Sequence, residues 1–87
     1  MTYYVYVIGT TKNSKLTTYV GYTKNLRIRI KLHNEGKGAK FTRGREWKLI
    51  YSEKFLKKKN ALSREYFIKK NQKVRNKIKD RWLKSIN

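Results

Sequence analysis

The chain has 87 residues, with 24 Lys and Arg against five acids, a net charge of +19, one His, no Cys and no Pro. A chain this short makes one domain, 1–87, and its core is small because it buries only about 60% of its unfolded surface. The missing Cys excludes a disulfide framework, a thiolate nucleophile and Cys-ligated zinc, and a lone His excludes ordinary zinc sites as well.

In chain order, MTYYVYVIG has neither the basic n-region nor the small-residue cleavage site of a signal peptide, which points to a cytoplasmic protein. Residues 3–8, YYVYVI, are β-branched and aromatic, which predicts a strand that is apolar on both faces and covered on both sides. GTTKNSKL follows as a polar turn region and TTYVGY (17–22) as a second strand, so 3–22 reads as a hairpin with a rather long loop. Asn25 is placed to cap a helix over Leu26 to Asn34, which Gly36 stops. The Gly- and cation-rich 36–46 is a loop, and WKLIYSEKF (47–55) a third strand with Trp47, Leu49, Tyr51 and Phe55 at alternating positions. Helices over 57–71 and 73–86 complete the order ββαβαα, the latter with a stripe of Val74, Ile78 and Trp82. The expected fold is α/β of the α+β kind, a small, mostly antiparallel three-stranded sheet flanked by about three helices.

So large a positive charge repels itself, and a polyanion relieves it. Nucleic acid is the leading partner. There is no long apolar run or lipidation motif to suggest a membrane. Arg27 and Lys31 fall on the solvent side of the first helix, with Asn34. With Lys37, Lys40, Arg43 and Arg45 of the following loop, they form the patch expected to grip the backbone.

Two charges fall where an amphipathic pattern calls for apolar residues. On a wheel of the first helix, Arg29 and His33 lie inside an arc bracketed by Leu26, Ile28, Ile30 and Leu32. On the second helix, Glu65 falls among Ala61, Leu62 and Ile68. An inward charge is costly unless something pairs with it. Either Arg29 and Glu65 pair and close the core, or Arg29 faces a phosphate and Glu65 holds a hard cation such as Mg²⁺. Tyr6 on the first strand and Tyr19 on the second could meet on one face, as cross-strand core or as groups that position a water. One Asp excludes a multi-carboxylate two-metal cluster, and GKGAK lacks the P-loop spacing. The glycines and amides of that loop can still cradle a phosphodiester.

These residues together resemble a known family. Tyr4-Val5-Tyr6 and Tyr19-Val20-Gly21 resemble the paired GIY and YIG tripeptides of the GIY-YIG endonuclease superfamily, with Tyr4 standing where the family name has Gly. Thr23, Arg29 and His33 follow in order. HNEGKGAKFTR, WKLIY and ALSREYFIKK then look like its small stand-alone branch, related to the catalytic subunit of structure-specific endonucleases. The resemblance spans residues 3–70.

It implies a three-stranded antiparallel sheet with flanking helices and metal-dependent endonuclease hydrolysis of DNA phosphodiesters, of the kind used in DNA repair and recombination. It further implies that Tyr6 and Tyr19 line the site and activate the water, Arg29 contacts the scissile phosphate and His33 assists. Glu65 would bind the single divalent metal, Mg²⁺ or Mn²⁺. Family members that cut specific targets usually carry a targeting domain or partner. Substrate choice is therefore expected to come from the shape of the DNA, branched or single-stranded, or from a targeting protein partner, or else not to be strict. With few acids on a cationic surface there is no obvious self-association patch, so a monomer is expected. Two rival readings stay open: a non-catalytic nucleic-acid-binding module with the same fold, and a small RNA- or ribosome-associated protein.

Overall fold

The computed structural model describes residues 1–86; Asn87 lies outside the described residues. Strands β1 (Tyr3–Lys12) and β2 (Lys15–Thr23) form a hairpin, followed by helix α1 (Leu26–Asn34), strand β3 (Lys48–Phe55) and helices α2 (Lys58–Lys70) and α3 (Gln72–Ser85). The sheet order is β2-β1-β3, antiparallel throughout. This is the expected α+β fold in the expected order.

The hairpin loop is shorter than the sequence suggested. The strands run on through the polar GTTKNSKL until Lys12 faces Lys15, leaving only Asn13 and Ser14 to turn. Both have positive φ, 53° and 64°. That is the two-residue turn whose twist matches the flanking strands, and Asn suits its first position. Polarity had marked a loop where cross-strand pairing continues.

β1 is central and buried on both faces, as its composition required. Val5 and Val7 point to one side, where with Val20 they meet Ala61 and Ile68 of α2 and Ile78 of α3. Tyr6 and Ile8 point to the other, where they meet Trp47, Leu49, Tyr19 and, from α1, Leu26 and Ile30. Each buried aliphatic contributes about 1.5–3 kcal/mol. A core divided between two faces needs both helical layers in place.

The third strand does not present one stripe. A bulge between Val7 and Ile8 pairs Val7 with Tyr51 and Ile8 with Leu49, which leaves Ile50 as the extra residue. Trp47 and Leu49 therefore serve the Tyr6 face, while Ile50, Tyr51 and Phe55 serve the Val7 face. Alternation in the sequence ran straight through a position where the ladder slips by one.

Local signals fix the helix ends. Asn25 Oδ1 accepts from the Ile28 amide at 3.1 Å, and Asn71 Oδ1 accepts from the Val74 amide at 3.1 Å. Past α1, the Lys37 amide reaches Leu32 O at 2.8 Å and the Gly36 amide reaches His33 O at 3.1 Å, with Gly36 at φ 78°. This paired closure needs a left-handed residue, which glycine supplies without strain. Asn71 both ends α2 and caps α3, so the two helices are joined by a single residue. No helix among the described residues is long and apolar enough to cross a membrane.

Candidate active site

The register answers the question about the tyrosines. Tyr6 pairs with Gly21 and Ile8 with Tyr19, so Tyr6 and Tyr19 share one face on a diagonal. α1 crosses that face. Its inward line is Leu26, Ile30 and His33, whereas Ile28, counted with the apolar arc, is half exposed. Arg29 sits half-buried at the border of the inward line.

His33 is 1% exposed and hydrogen-bonded at both ring nitrogens. Nε2 lies 2.7 Å from Tyr6 Oη, and Nδ1 lies 2.9 Å from Thr42 Oγ1. Thr42 settles the direction of the whole chain. Its hydroxyl carries one hydrogen and donates it to Ala39 O at 3.0 Å. Toward His33 it can therefore only accept, so Nδ1 bears the ring proton. Burial, and then the nearby Arg29 charge, push the His33 pKa below its ordinary 6.5 and keep the ring neutral. Nε2 is then bare and accepts the Tyr6 proton. The order is Tyr6 to His33 to Thr42 to Ala39 O.

Tyr6 is 1% exposed, and burial raises its pKa far above that of an ordinary phenol. Arg29 pulls it back, while Tyr19 and Glu65 push it up further. All four predicted groups besides Tyr6 thus gather around its hydroxyl: His33 by hydrogen bond, Tyr19 by ring contact with His33 at 5.1 Å, and Arg29 and Glu65 by charge. Arg29 and Glu65 do not pair. Among the described residues Arg29 makes no ion pair or side-chain hydrogen bond, and Glu65 lies 3.3 Å from Lys69 Nζ, one turn along α2.

Two glycines make this approach possible. A β-carbon on Gly21 would lie 2.6 Å from Tyr6 Cζ, and one on Gly38 would lie 2.7 Å from His33 Cγ. Both distances are shorter than real contacts allow. Gly38, one of the loop glycines expected to cradle a phosphodiester, also admits the histidine ring.

The 35–46 loop is tied down. Asn34, placed on the solvent side by the wheel, accepts from the Trp47 amide at 2.6 Å and donates to Trp47 O at 3.1 Å. Trp47 Nε1 donates to Thr42 O at 2.9 Å, and Thr42 is fully buried. The loop is thereby closed at its ends and pinned at its middle. Thr42, Gly38 and Asn34 escaped sequence reasoning because their partners lie 9 or more residues away or in another element.

The predicted cations divide between places. Arg27, Lys31, Lys37, Lys40, Arg43 and Arg45 are all exposed, and Lys31 has only a loose 4.0 Å contact with Glu35. Arg29 lines a groove of about 520 Å³ with Lys24 and Lys58, two cations the sequence did not single out, and with Tyr22, Ile28 and Leu32. Arg43 and Arg45 line a separate groove of about 710 Å³ with Lys12, Lys48 and Trp82. The first groove has no acid in its lining, and it shares Arg29 with the Tyr6–His33 pair.

No cluster of three or more His, Asp or Glu able to hold a metal occurs among the described residues. Glu65 is a hard oxygen donor, 16% exposed, and the Lys69 ammonium already lies against it, so the position accommodates a cation. One carboxylate suits Mg²⁺, which keeps most of its water and takes further oxygens from a phosphate.

Comparison with known proteins gives the family. The GIY-YIG catalytic domain family model matches residues 2–79. A UPF0213 protein of Clostridium perfringens is 52% identical over 75 residues, 82% of this chain and 77% of that protein. A UPF0213 protein of Bacillus licheniformis is 43% identical over 82 residues, 93% of this chain and 78% of that one. The solution NMR structure of a UPF0213 protein from Bacillus halodurans is 36% identical with a TM-score of 0.52, covering 92% of this chain and 84% of its own.

Proposed function

The chain belongs to the GIY-YIG catalytic domain family, and from that premise we propose that it is an endonuclease that hydrolyses DNA phosphodiesters with the help of one divalent metal ion. The observation that carries the reading is the half-buried Arg29. Among the described residues it has no acidic partner, and it stands beside a hydroxyl–imidazole chain whose proton direction is fixed. An unpaired cation on an inward face is costly, and a phosphate oxygen is the ligand that relieves it.

In this reading a strand lies with its scissile phosphate on Arg29, which holds a non-bridging oxygen and stabilises the charge that grows there. Because Tyr6 gives its proton to His33, the lone pairs of its buried Oη are free to accept. A water attacks phosphorus and passes its proton to Tyr6 Oη, while the Tyr6 proton moves to His33 Nε2. The resulting imidazolium keeps its Nδ1–H on Thr42. The phosphorus–oxygen bond opposite the water breaks, and the leaving oxygen takes a proton from solvent. Tyr19, against the His33 ring, helps to shape the place of the water. Glu65 would hold the Mg²⁺ or Mn²⁺, which supplies Lewis-acid neutralisation of the phosphate and leaving oxygen. Lys24 and Lys58 along the Arg29 groove, with the exposed cations of α1 and its loop, bind the flanking backbone.

The test is a nicking and cleavage assay on flaps, forks, single strands and linear duplexes, with and without Mg²⁺ or Mn²⁺. Metal-dependent cleavage that Arg29→Ala and Glu65→Ala each lower by about 10²-fold or more, while DNA binding survives, supports the reading. Unimpaired cutting by both variants sinks the site assignment. The second reading, a binding module without catalysis, is favoured by the Glu65–Lys69 contact, which leaves that carboxylate already neutralised. Salt-sensitive DNA binding without cleavage under any metal is its signature.

A further inference from the structure

We propose that Phe41 is a stacking platform for a nucleobase, one that has left its own base stack, beside the phosphate held at Arg29; the position of that phosphate rests on the endonuclease reading. Phe41 is 53% exposed in a chain with only three Phe. A single exposed apolar ring is ordinary. This one differs in three ways.

First, it continues the site. His33 meets Tyr19 at 5.1 Å between centroids, and Tyr19 meets Phe41 at 6.1 Å with planes only 22° apart. The aromatic row that begins on the buried imidazole therefore ends on an exposed ring lying nearly parallel to its neighbour. Second, the ring is held in place. The next residue, Thr42, is fully buried on His33, and Trp47 packs on Phe41 at 6.1 Å and donates to Thr42 O. A base that stacks here meets a preorganised surface. Third, a cation attends it. The Arg45 guanidinium lies over the ring at 5.5 Å, close enough to share a stacked base or to move to the adjoining phosphate.

An aromatic ring and a guanidinium on a positively charged chain form a combination that binds bases without regard to sequence, because every base has a π-face. A base inside a duplex has both faces occupied by its neighbours. The platform therefore favours a nucleotide at a nick, fork or single-stranded stretch over one in an intact helix. The same stacking fixes which phosphate comes to Arg29, so Phe41 helps to choose the bond that is cut.

The test uses the whole chain without divalent metal, so that nothing is cut, and single-stranded oligonucleotides carrying 2-aminopurine at successive positions. The expected result is fluorescence quenching on binding at one position and not at its neighbours. Phe41→Leu, which keeps an apolar side chain beside Trp47, should lose that quenching and weaken binding roughly tenfold, whereas Phe41→Trp should keep both. Removing the base at that position should weaken binding to the wild-type chain by a similar factor and leave Phe41→Leu unaffected. The proposal is overturned if DNA binds with no quenched position, if Phe41→Leu retains the quenching at an unchanged unfolding midpoint, or if the abasic and Phe41→Leu losses simply add. A chain that stacks the base and never cuts keeps the platform and loses the endonuclease reading. A chain that cuts with Arg29 and Glu65 dependence but stacks no base does the reverse.

Discussion

On one side of β1, Val5 and Val7 meet Val20, Ala61, Ile68 and Ile78. The arginine on that side, Arg64, is spent on Glu53. Its Nε lies 3.0 Å from both carboxylate oxygens and an Nη lies 2.9 Å from one of them. Burial would raise the Glu53 pKa, but the hydrogen bonds from Arg64 and Tyr51 outweigh it and hold it below the ordinary value. On the other side, Tyr6 and Ile8 meet Trp47, His33 and Tyr19, and the nearby Arg29 has no acid among the described residues. Each side has a tyrosine that feels an arginine and a carboxylate, Tyr51 with Arg64 and Glu53 on the first and Tyr6 with Arg29 and Glu65 on the second. Only on the first are they neutralised by one another. A paired arginine is part of the packing, whereas an unpaired one at the edge of a buried polar chain is the one the proposed reading gives to a phosphate.

The largest expected effect would sharpen this contrast. Arg29→Ala should lower cleavage by about 10²–10³-fold, the scale on which a preorganised donor to a transition state acts. Arg64→Ala should leave the turnover of folded molecules unchanged while lowering the unfolding midpoint. Equal losses of turnover from both would erase the distinction between the faces.

Thr42→Val comes next. It leaves the His33 Nδ1–H and Ala39 O without their partner and should cost about 1–3 kcal/mol in denaturant unfolding. It should also slow catalysis, because the imidazole is no longer held in one tautomer. Ile68→Val on the opposite face should cost about 0.5–1.5 kcal/mol. There the rate per folded molecule should stay put, and a fall in that rate would mean the faces are mechanically coupled.

The pH response just below neutrality belongs to the Tyr6 face, whereas that of Glu53 on the other face lies at more acid pH. The folded pKa of His33 lies below its ordinary 6.5, because burial first and Arg29 second oppose the imidazolium. The unfolded chain binds the proton more tightly. The stability this contributes is therefore complete above about pH 6.5 and is lost as pH falls from there through the folded value. Cleavage should decline on the same acid side, since a protonated Nε2 cannot receive the Tyr6 proton. Unfolding curves and rate profiles of His33→Asn should lose that limb. A limb that persists in the variant assigns it to another group.

The smallest effect is a control far from both faces. Ser14→Gly relieves a residue at φ 64° and should stabilise the hairpin by about 0.5 kcal/mol with no change in cleavage.

Much of this molecule was legible in the chain. Asn25 announced α1, and the β-branched and aromatic run of β1 announced a central strand covered on both sides. Arg29, His33 and Glu65 stood out because each broke the pattern around it. Where reading failed, the cause was local. GTTKNSKL is polar yet paired, because cross-strand hydrogen bonds do not depend on side-chain polarity. WKLIYSEKF alternates, yet a bulge at Ile50 hands its two halves to opposite faces.

Periodicity, capping and charge count are properties of neighbours in sequence, and they determined the elements, their order and the suspicion that fell on three side chains. The direction of the proton chain is of another kind. It depends on Thr42 giving its one hydrogen to Ala39 O, on Gly21 and Gly38 leaving room for two rings, and on Asn34 closing a loop onto Trp47. It depends as much on what is missing beside Arg29, since the ion pairs among the described residues join Glu53 to Arg64, Glu65 to Lys69 and Glu35 to Lys31 and none reaches it. Hydrogen-bond direction and charge neutralisation are settled by which groups meet in space. Only the packing of α1, its loop and α2 around the sheet decides that.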